Sequence, residues 1–222
     1  MIKALIFDVG GVLVRTEDRS RRAELEKSLG LPPGQTDEIV FNSPMGQAAQ
    51  KGEVTSAARW EWVRQELGLD ATGLAHFRQE FWGGDRVNTA LVTLIRGLRP
   101  RYQTAIISNF MDDLRRSLAE ECPIIDAFDL VVISAEEKVM KPSPVIFQRA
   151  LERLGCLPEE SVFVDDFAHN VEGARAMGMH AIHYTPATDM ARELANLGAS
   201  VMDWATKKPS FLAVQSIWAF TN

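Results

Sequence analysis

Cysteine is nearly absent. Cys122 and Cys156 are the only two in 222 residues, and they stand far apart without metal-type spacing. A disulfide framework and a cysteine-built zinc site are therefore both excluded, and each cysteine reads as a small buried hydrophobe in a reducing compartment. No apolar stretch reaches the roughly 20 residues that a membrane helix needs. No long basic run occurs and the formal net charge is −6, which argues against nucleic acid or an anionic membrane as a partner. Acidity does not exclude an anionic substrate, because a bound metal ion can supply the local positive charge. Met1-Ile2-Lys3 leads straight into strand-like sequence with no signal-peptide pattern, so a cytoplasmic protein is expected. Histidine is also scarce, and His76, His180 and His183 show no ligand spacing.

What is present is ordinary for a folded domain: 46% apolar and 24% charged residues. The length fits one domain, or one domain with a small insert, and allows a large core. Five short β-like runs stand out at about Ala4–Asp8, Thr104–Ser108, Leu130–Ser134, Val162–Asp165 and Ala181–Tyr184. Each is mostly apolar without clean alternation, as strands buried on both faces should be. Helical periodicity separates them: Leu91, Leu94, Ile95 and Leu98; then Val145, Ile146, Ala150, Leu151 and Leu154; then Val171, Ala174 and Met177. Alternating strands and helices predict an α/β fold, a doubly wound parallel sheet with helices on both faces.

One stretch breaks the alternation. From about Thr16 to Trp82 the sequence reads as helices only, with Trp60, Val63 and Leu67 on one stripe and Leu74, Phe77 and Phe81 on another. Pro32-Pro33-Gly34, Ser43-Pro44 and Gly68 punctuate it. We expect a core built from residues 1–15 and 84–205, a helical insert over 16–83 above the first strand's carboxyl end, and an extension over 206–222 of no assigned role. The aromatics Trp60, Trp62, Phe77, Phe81 and Trp82 fit packing better than a substrate platform.

Ligands of open parallel sheets bind at the carboxyl ends of the strands. The polar residues there are Asp8, Ser108-Asn109 and Asp165-Asp166, and Lys141-Pro142 lies in a loop before a helix. An aspartate at position 8 can attack phosphorus. Two anions repel, so a cation is needed, and Asp8 with Asp166 offers a hard oxygen site suited to Mg²⁺. Lys141 and the Ser108 hydroxyl can hold the remaining phosphate oxygens. Taken singly, each has a plain alternative: a turn aspartate, a helix cap, a solvated lysine. Together, in this order at strand ends, they point to one site.

These residues carry a resemblance. Ile6-Phe7-Asp8-Val9-Gly10-Gly11-Val12-Leu13, Ile107-Ser108-Asn109, Lys141-Pro142, Phe163-Val164-Asp165-Asp166, Gly173-Ala174-Arg175 and Gly178-Met179 resemble the motifs of a haloacid dehalogenase-superfamily hydrolase with a helical cap. The resemblance implies Asp8 as nucleophile and Ser108, Asn109 and Lys141 on the substrate phosphate. It implies Mg²⁺ held by Asp8, the Gly10 carbonyl and Asp166, with Asp165 orienting metal-bound water or Lys141. It implies a small phosphorylated metabolite, a sugar phosphate among the candidates, in a monomer or homodimer. The insert becomes a cap whose tip, around Met45–Gln50, helps set specificity, with Arg15-Thr16 and Gly83-Gly84 as hinges.

The sequence departs from that pattern at Gly10, where phosphatases of the superfamily usually carry a second aspartate for acid–base work. General acid–base help is worth about 10²–10⁴-fold, so good leaving groups are expected to be preferred. Some sugar-phosphatase-like members are similar in having glycine there. Two further readings stand beside this one: a 2-haloacid dehalogenase, against which the paired acids Asp165-Asp166 count, and a non-catalytic module that binds a phosphorylated ligand or a protein. His169 and Asn170 follow the paired acids and could face the crevice, as could Arg15 and Glu17 after the nucleophile loop.

Overall fold

The computed structural model describes residues 1–99 and 101–199, so the expected extension at 206–222 lies outside the described residues. In chain order the elements are β1 (Ala4–Phe7), β2 (Val14–Thr16), α1 (Ser20–Ser28), α2 (Gln35–Asp37), α3 (Pro44–Gln50), α4 (Ser56–Glu66) and α5 (Ala71–Trp82). There follow β3 (Asp85–Val87), α6 (Thr89–Leu98), β4 (Gln103–Ser108), α7 (Leu114–Arg116), β5 (Leu130–Ile133), α8 (Ser134–Glu137), α9 (Pro144–Leu154), β6 (Ser161–Asp165), α10 (Ala168–Ala176), β7 (His180–His183) and α11 (Met190–Asn196). Five strands form one sheet in the order β5-β4-β1-β6-β7, and every neighbouring pair is parallel. This is the doubly wound α/β fold that the alternating pattern predicts.

Successive strand residues point to opposite faces. Leu5 and Phe7 join a core with Leu91, Ile95 and Leu194 of α6 and α11, whereas Ala4 and Ile6 join Ile146, Phe147, Ala150 and Ala174 of α9 and α10. Both sheet faces are covered, which is why the strands read as continuous apolar runs. Both cysteines are free; Cys122 is buried in the first core and Cys156 packs at the edge of the second.

The chain lays β4 and β5 to one side of β1 and then returns to place β6 and β7 on the other. The reversal falls between β1 and β6, where a crevice must open at the carboxyl ends. Asp8 follows β1 and Asp165-Asp166 end β6, so topology alone brings these acids together.

Helices fill the stretch between β2 and β3, as expected. Ser43, Thr55 and Asp70 cap α3, α4 and α5 with their side-chain oxygens, and Pro44 occupies the first turn of α3. Trp60, Val63, Phe77, Phe81 and Trp82 are buried in the same apolar core that covers the β1 face, so the core runs unbroken into the helical stretch. The sequence reading missed the short antiparallel ribbon that carries the chain into and out of it. Val14, Arg15 and Thr16 pair with Val87, Arg86 and Asp85. Each strand has three residues, one valine and two charged or polar side chains, too little for a periodic signal.

A buried ion network ties the first helix to this ribbon. Arg22 donates to Asp37 at 2.5 Å, to Asp85 at 2.9 Å and to the Phe81 carbonyl at 2.7 Å, and its guanidinium lies 4.1 Å from the Phe81 ring centre. Thr16 donates to the same Asp85 oxygen at 2.7 Å. Burial pushes Asp85 up from the usual carboxylate range, and Arg22 opposes the shift. Removing one partner of a buried pair leaves the other charge uncompensated, typically at about 3–5 kcal/mol, whereas an exposed pair is worth about 0–1 kcal/mol. Arg22→Ala should therefore lower unfolding stability by about 3–5 kcal/mol in denaturant titration. Arg19→Ala, which removes the exposed partner of Asp37, should cost under about 1 kcal/mol. Equal effects would remove the network as a structural tie.

Candidate active site

Lys141 is the centre of the crevice. Its side chain is wholly buried, and its ammonium lies 2.9 Å from Asp8 Oδ1, 2.6 Å from Asp165 Oδ2 and 2.9 Å from the Ile107 carbonyl oxygen. An ammonium has three donors, and here each has a partner. The Asp8 Oδ1 atom also accepts from the Val9 backbone N–H at 2.7 Å. Burial raises the Asp8 carboxyl to about 7; Lys141 opposes that shift, and Asp165 and Asp166 add to it. One lysine between two carboxylates leaves an excess negative charge, and Asp166 adds a third acid.

The loop after β1 brings Asp166 close. Gly11 sits at φ +73°, and a Cβ built there would lie 2.0 Å from Asp166 Oδ2. Glycine is required both for the left-handed turn and for the space the carboxylate takes. One oxygen of Asp166 is buried with no hydrogen-bond partner, and burial together with Asp165 raises its pKa. Asp8, Asp165 and Asp166 offer oxygens within 4.8 Å of one another. An orphaned buried carboxylate oxygen beside two more acids fits a hard divalent cation. Gly10 differs from Gly11: a Cβ there meets nothing within 4 Å, so the place of a second aspartate is open space.

The neighbouring loops hold Lys141 in register. Asn109 donates its amide to the Lys141 carbonyl at 2.9 Å and accepts from the Lys141 N–H at 2.8 Å. Both ends of the side chain therefore hold the lysine loop, where the sequence reading put Asn109 on substrate. Asp165 accepts from the Phe167 N–H at 2.8 Å and from the Asn170 amide at 3.1 Å on each oxygen. It is thus oriented toward Lys141. Gly173 allows α10 to lie against this loop, because a Cβ there would come 2.8 Å from Pro142. Ser108 is buried at the end of β4 and lines the cavity. His169 is exposed on the cavity wall and Asn170 is buried beneath it.

The cavity above these groups has a volume of about 830 Å³. Its floor is the site just described, and its roof comes from the helical stretch, including Phe41, Asn42, Gln50 and Trp82. Of the expected tip, Met45–Gln50, only Gln50 lines the cavity among the described residues. The end of α3 is docked on the core, with Ser134 donating to the Gln50 carbonyl at 2.6 Å. Arg15 and Glu17 line the cavity as an ion pair with each other. Arg19, Arg22, Asp37, Phe41, Asp85 and Phe110 also line it and were missed by sequence reading. Phe110 had a signal in following Ser108-Asn109, but the others had none, because their place depends on how the helices dock. Trp82 is core, as expected, yet one side of it meets the cavity.

The profile of the haloacid dehalogenase-like hydrolases matches residues 2–178 of this chain. The chain belongs to that family. The hydrolase is 26% identical to a sesquiterpene phosphatase of Aspergillus oryzae over 88% of this chain and 96% of that one. It is 27% identical to a D-ribitol-5-phosphate phosphatase of Bacteroides thetaiotaomicron over 87% and 97%. A haloacid dehalogenase-family enzyme of the same bacterium, solved with magnesium and inorganic phosphate, superposes with a TM-score of 0.73 at 25% identity, covering 87% and 99%. The hydrolase is thus a phosphatase-like enzyme by family. Among its described residues, no helix is long and apolar enough to cross a membrane.

Two outcomes follow for the hydrolase. Gly11→Ala should destabilise it by at least about 1–2 kcal/mol, the cost of a left-handed non-glycine residue, and should weaken metal-induced stabilisation. Gly10→Ala should do neither; thermal melts with and without Mg²⁺ measure both. The second concerns pH. The folded Asp8 pKa, about 7, lies above its unfolded value of about 3.9. The folded state is therefore penalised increasingly as pH rises from about 4 to 7, and fully above that. Asp8→Asn removes the penalty. In chelator, the variant's melting temperature should exceed the wild type's by a few degrees at pH 8 and should lose that advantage toward pH 4. A gap that widens on acidification would contradict the buried charge excess.

Proposed function

We propose that this enzyme is a Mg²⁺-dependent phosphatase that hydrolyses a small phosphate monoester through an aspartyl-phosphate on Asp8. The observation that carries this reading is the Asp8–Lys141–Asp165 arrangement with the orphaned Asp166 oxygen beside it. Lys141 and Val9 both hold Oδ1 of Asp8, which leaves Oδ2 to attack phosphorus. As the Asp8–phosphorus bond forms, the bond to the leaving oxygen breaks and that oxygen takes a proton from solvent water, which the proton released by the water of the second step restores. Water then attacks phosphorus, the Asp8–phosphorus bond breaks, and inorganic phosphate leaves. Asp8, the Gly10 carbonyl and Asp166 would hold Mg²⁺, which supplies positive charge for the phosphate oxygens. Ser108 binds a phosphate oxygen, and Lys141 does so by exchanging its Asp8 contact for the phosphate. Asn109 and Asp165 position Lys141.

The helical stretch 16–83 serves as a cap over this floor. Its closed contacts include Ser56 N–H to Asp112 at 2.9 Å, Ser56 hydroxyl to Asp113 at 2.6 Å, and Lys138 to the Gly52 carbonyl. Product release requires these to part while the β2–β3 ribbon flexes at Arg15-Thr16 and Gly83-Gly84. The reading is supported by relatives named for an apolar and for a polar phosphate ester. A dehalogenase reading is disfavoured, since three acids around one lysine repel a carboxylate substrate. The open space at Gly10 favours one other reading, a module that binds a phosphorylated ligand without turning it over.

The test is phosphate release in Mg²⁺ and in chelator, for wild type and Asp8→Asn. Release should require both the metal and Asp8. With no acid at position 10, aryl phosphates should exceed simple alkyl phosphates in kcat by about 10²-fold or more, the size of missing general-acid help. No release from any ester, with phosphate still raising the melting temperature, would favour the binding module.

A further inference from the structure

The cavity is much larger than a phosphate group, toward the upper end of the roughly 300–1,000 Å³ typical of small-molecule sites. Its walls therefore select the leaving group. Three aromatic rings meet at the seam between the helical stretch and the core. The ring centres of Phe41 and Trp82 are 5.8 Å apart, those of Phe41 and Phe110 6.2 Å, and those of Trp82 and Phe110 6.1 Å. All three line the cavity, and Phe110 lies two residues beyond Ser108.

The arginines and the lysine that line the cavity are already paired. Arg15 holds Glu17, Arg19 holds Asp37, Arg22 holds Asp37 and Asp85, and Lys141 holds Asp8 and Asp165. A second anion on the substrate would compete with the acid that each of these cations already holds. Three neutral donors on the walls are likewise engaged within the protein, while His169 stands exposed beside them. Thr16 donates to Asp85, the Asn42 amide to Glu38, and the Gln50 amide to the Phe41 and Gly46 carbonyls. A polyhydroxylated leaving group would find Thr16, Asn42 and Gln50 already donating elsewhere and would lose part of its own hydration. The rings instead offer apolar surface, whose burial is favourable in proportion to area.

We infer that the physiological leaving group is a neutral, largely apolar alcohol that packs on Phe41, Trp82 and Phe110. This rests on the phosphatase reading above. The reaction releases that alcohol and inorganic phosphate, with one water consumed.

The test compares kcat/KM in Mg²⁺ for octyl phosphate, 2-phenylethyl phosphate, a hexose 6-phosphate and a hexose bisphosphate, with p-nitrophenyl phosphate as the reporter of basal chemistry. The octyl and phenylethyl esters should exceed the hexose 6-phosphate at least tenfold, and the bisphosphate should be poorest. Phe41→Ala should shrink the preference for octyl over hexose phosphate at least fivefold; the wild-type ranking stands as evidence even where that variant folds poorly. Should p-nitrophenyl phosphate turn over with dependence on Asp8 and metal while either hexose ester matches or beats the octyl ester, the inference is overturned and the phosphatase reading survives. Failure of every ester, p-nitrophenyl phosphate included, overturns both.

Discussion

The Lys141 ammonium, wholly buried between Asp8 and Asp165, is the interaction on which the rest depends. It lets two carboxylates sit together at the crevice, but it can neutralise only one of them. The remaining charge, with Asp166 close by, gives the floor a set of hard oxygens that fits a divalent cation. Much of the surrounding structure serves to keep this lysine in place. Asn109 grips its backbone from β4, Asp165 is itself fixed by Phe167 and Asn170, and Gly173 lets α10 close on Pro142. Burying so many charges is costly, and the unbroken apolar core on both sheet faces is what offsets it.

A second constraint is set above the floor. The helical stretch joins the core through apolar packing and the Arg22 network, which pairs Arg22 with Asp37 and Asp85 before any ligand arrives. Excess charge is thereby concentrated at the floor. The aromatic seam of Phe41, Trp82 and Phe110 is left as apolar surface on the cavity wall. Gly10 fits the same division, because nothing in its place crowds the path between the phosphate and the roof.

The floor was legible in the sequence because a parallel sheet converts chain order into position. Asp8, Ser108 and Asp165-Asp166 end buried strands, and such ends must meet at one edge. Lys141 was legible in place, and the family resemblance offered Asp165 as one partner; its contacts with Asp8 and the Ile107 carbonyl were not announced by its loop. Asn109 was legible as a residue of the crevice, but its hold on a backbone thirty-two residues away was not. The roof was not legible. Helical periodicity shows that Trp60, Phe77 and Phe81 are inside, but not that Phe41 and Trp82 turn toward a cavity, because that depends on docking between elements. The β2–β3 ribbon escaped because three-residue strands carry no period.

The most direct measurement of the central claim is a rapid acid quench during turnover of a ³²P-labelled ester, followed by peptide mapping. Covalent label should appear on the peptide that contains Asp8, should require Mg²⁺, and should be absent from Asp8→Asn. Turnover in the wild type with no label on that peptide at any quench time, or with label on another residue, would contradict the assignment of Asp8 as nucleophile.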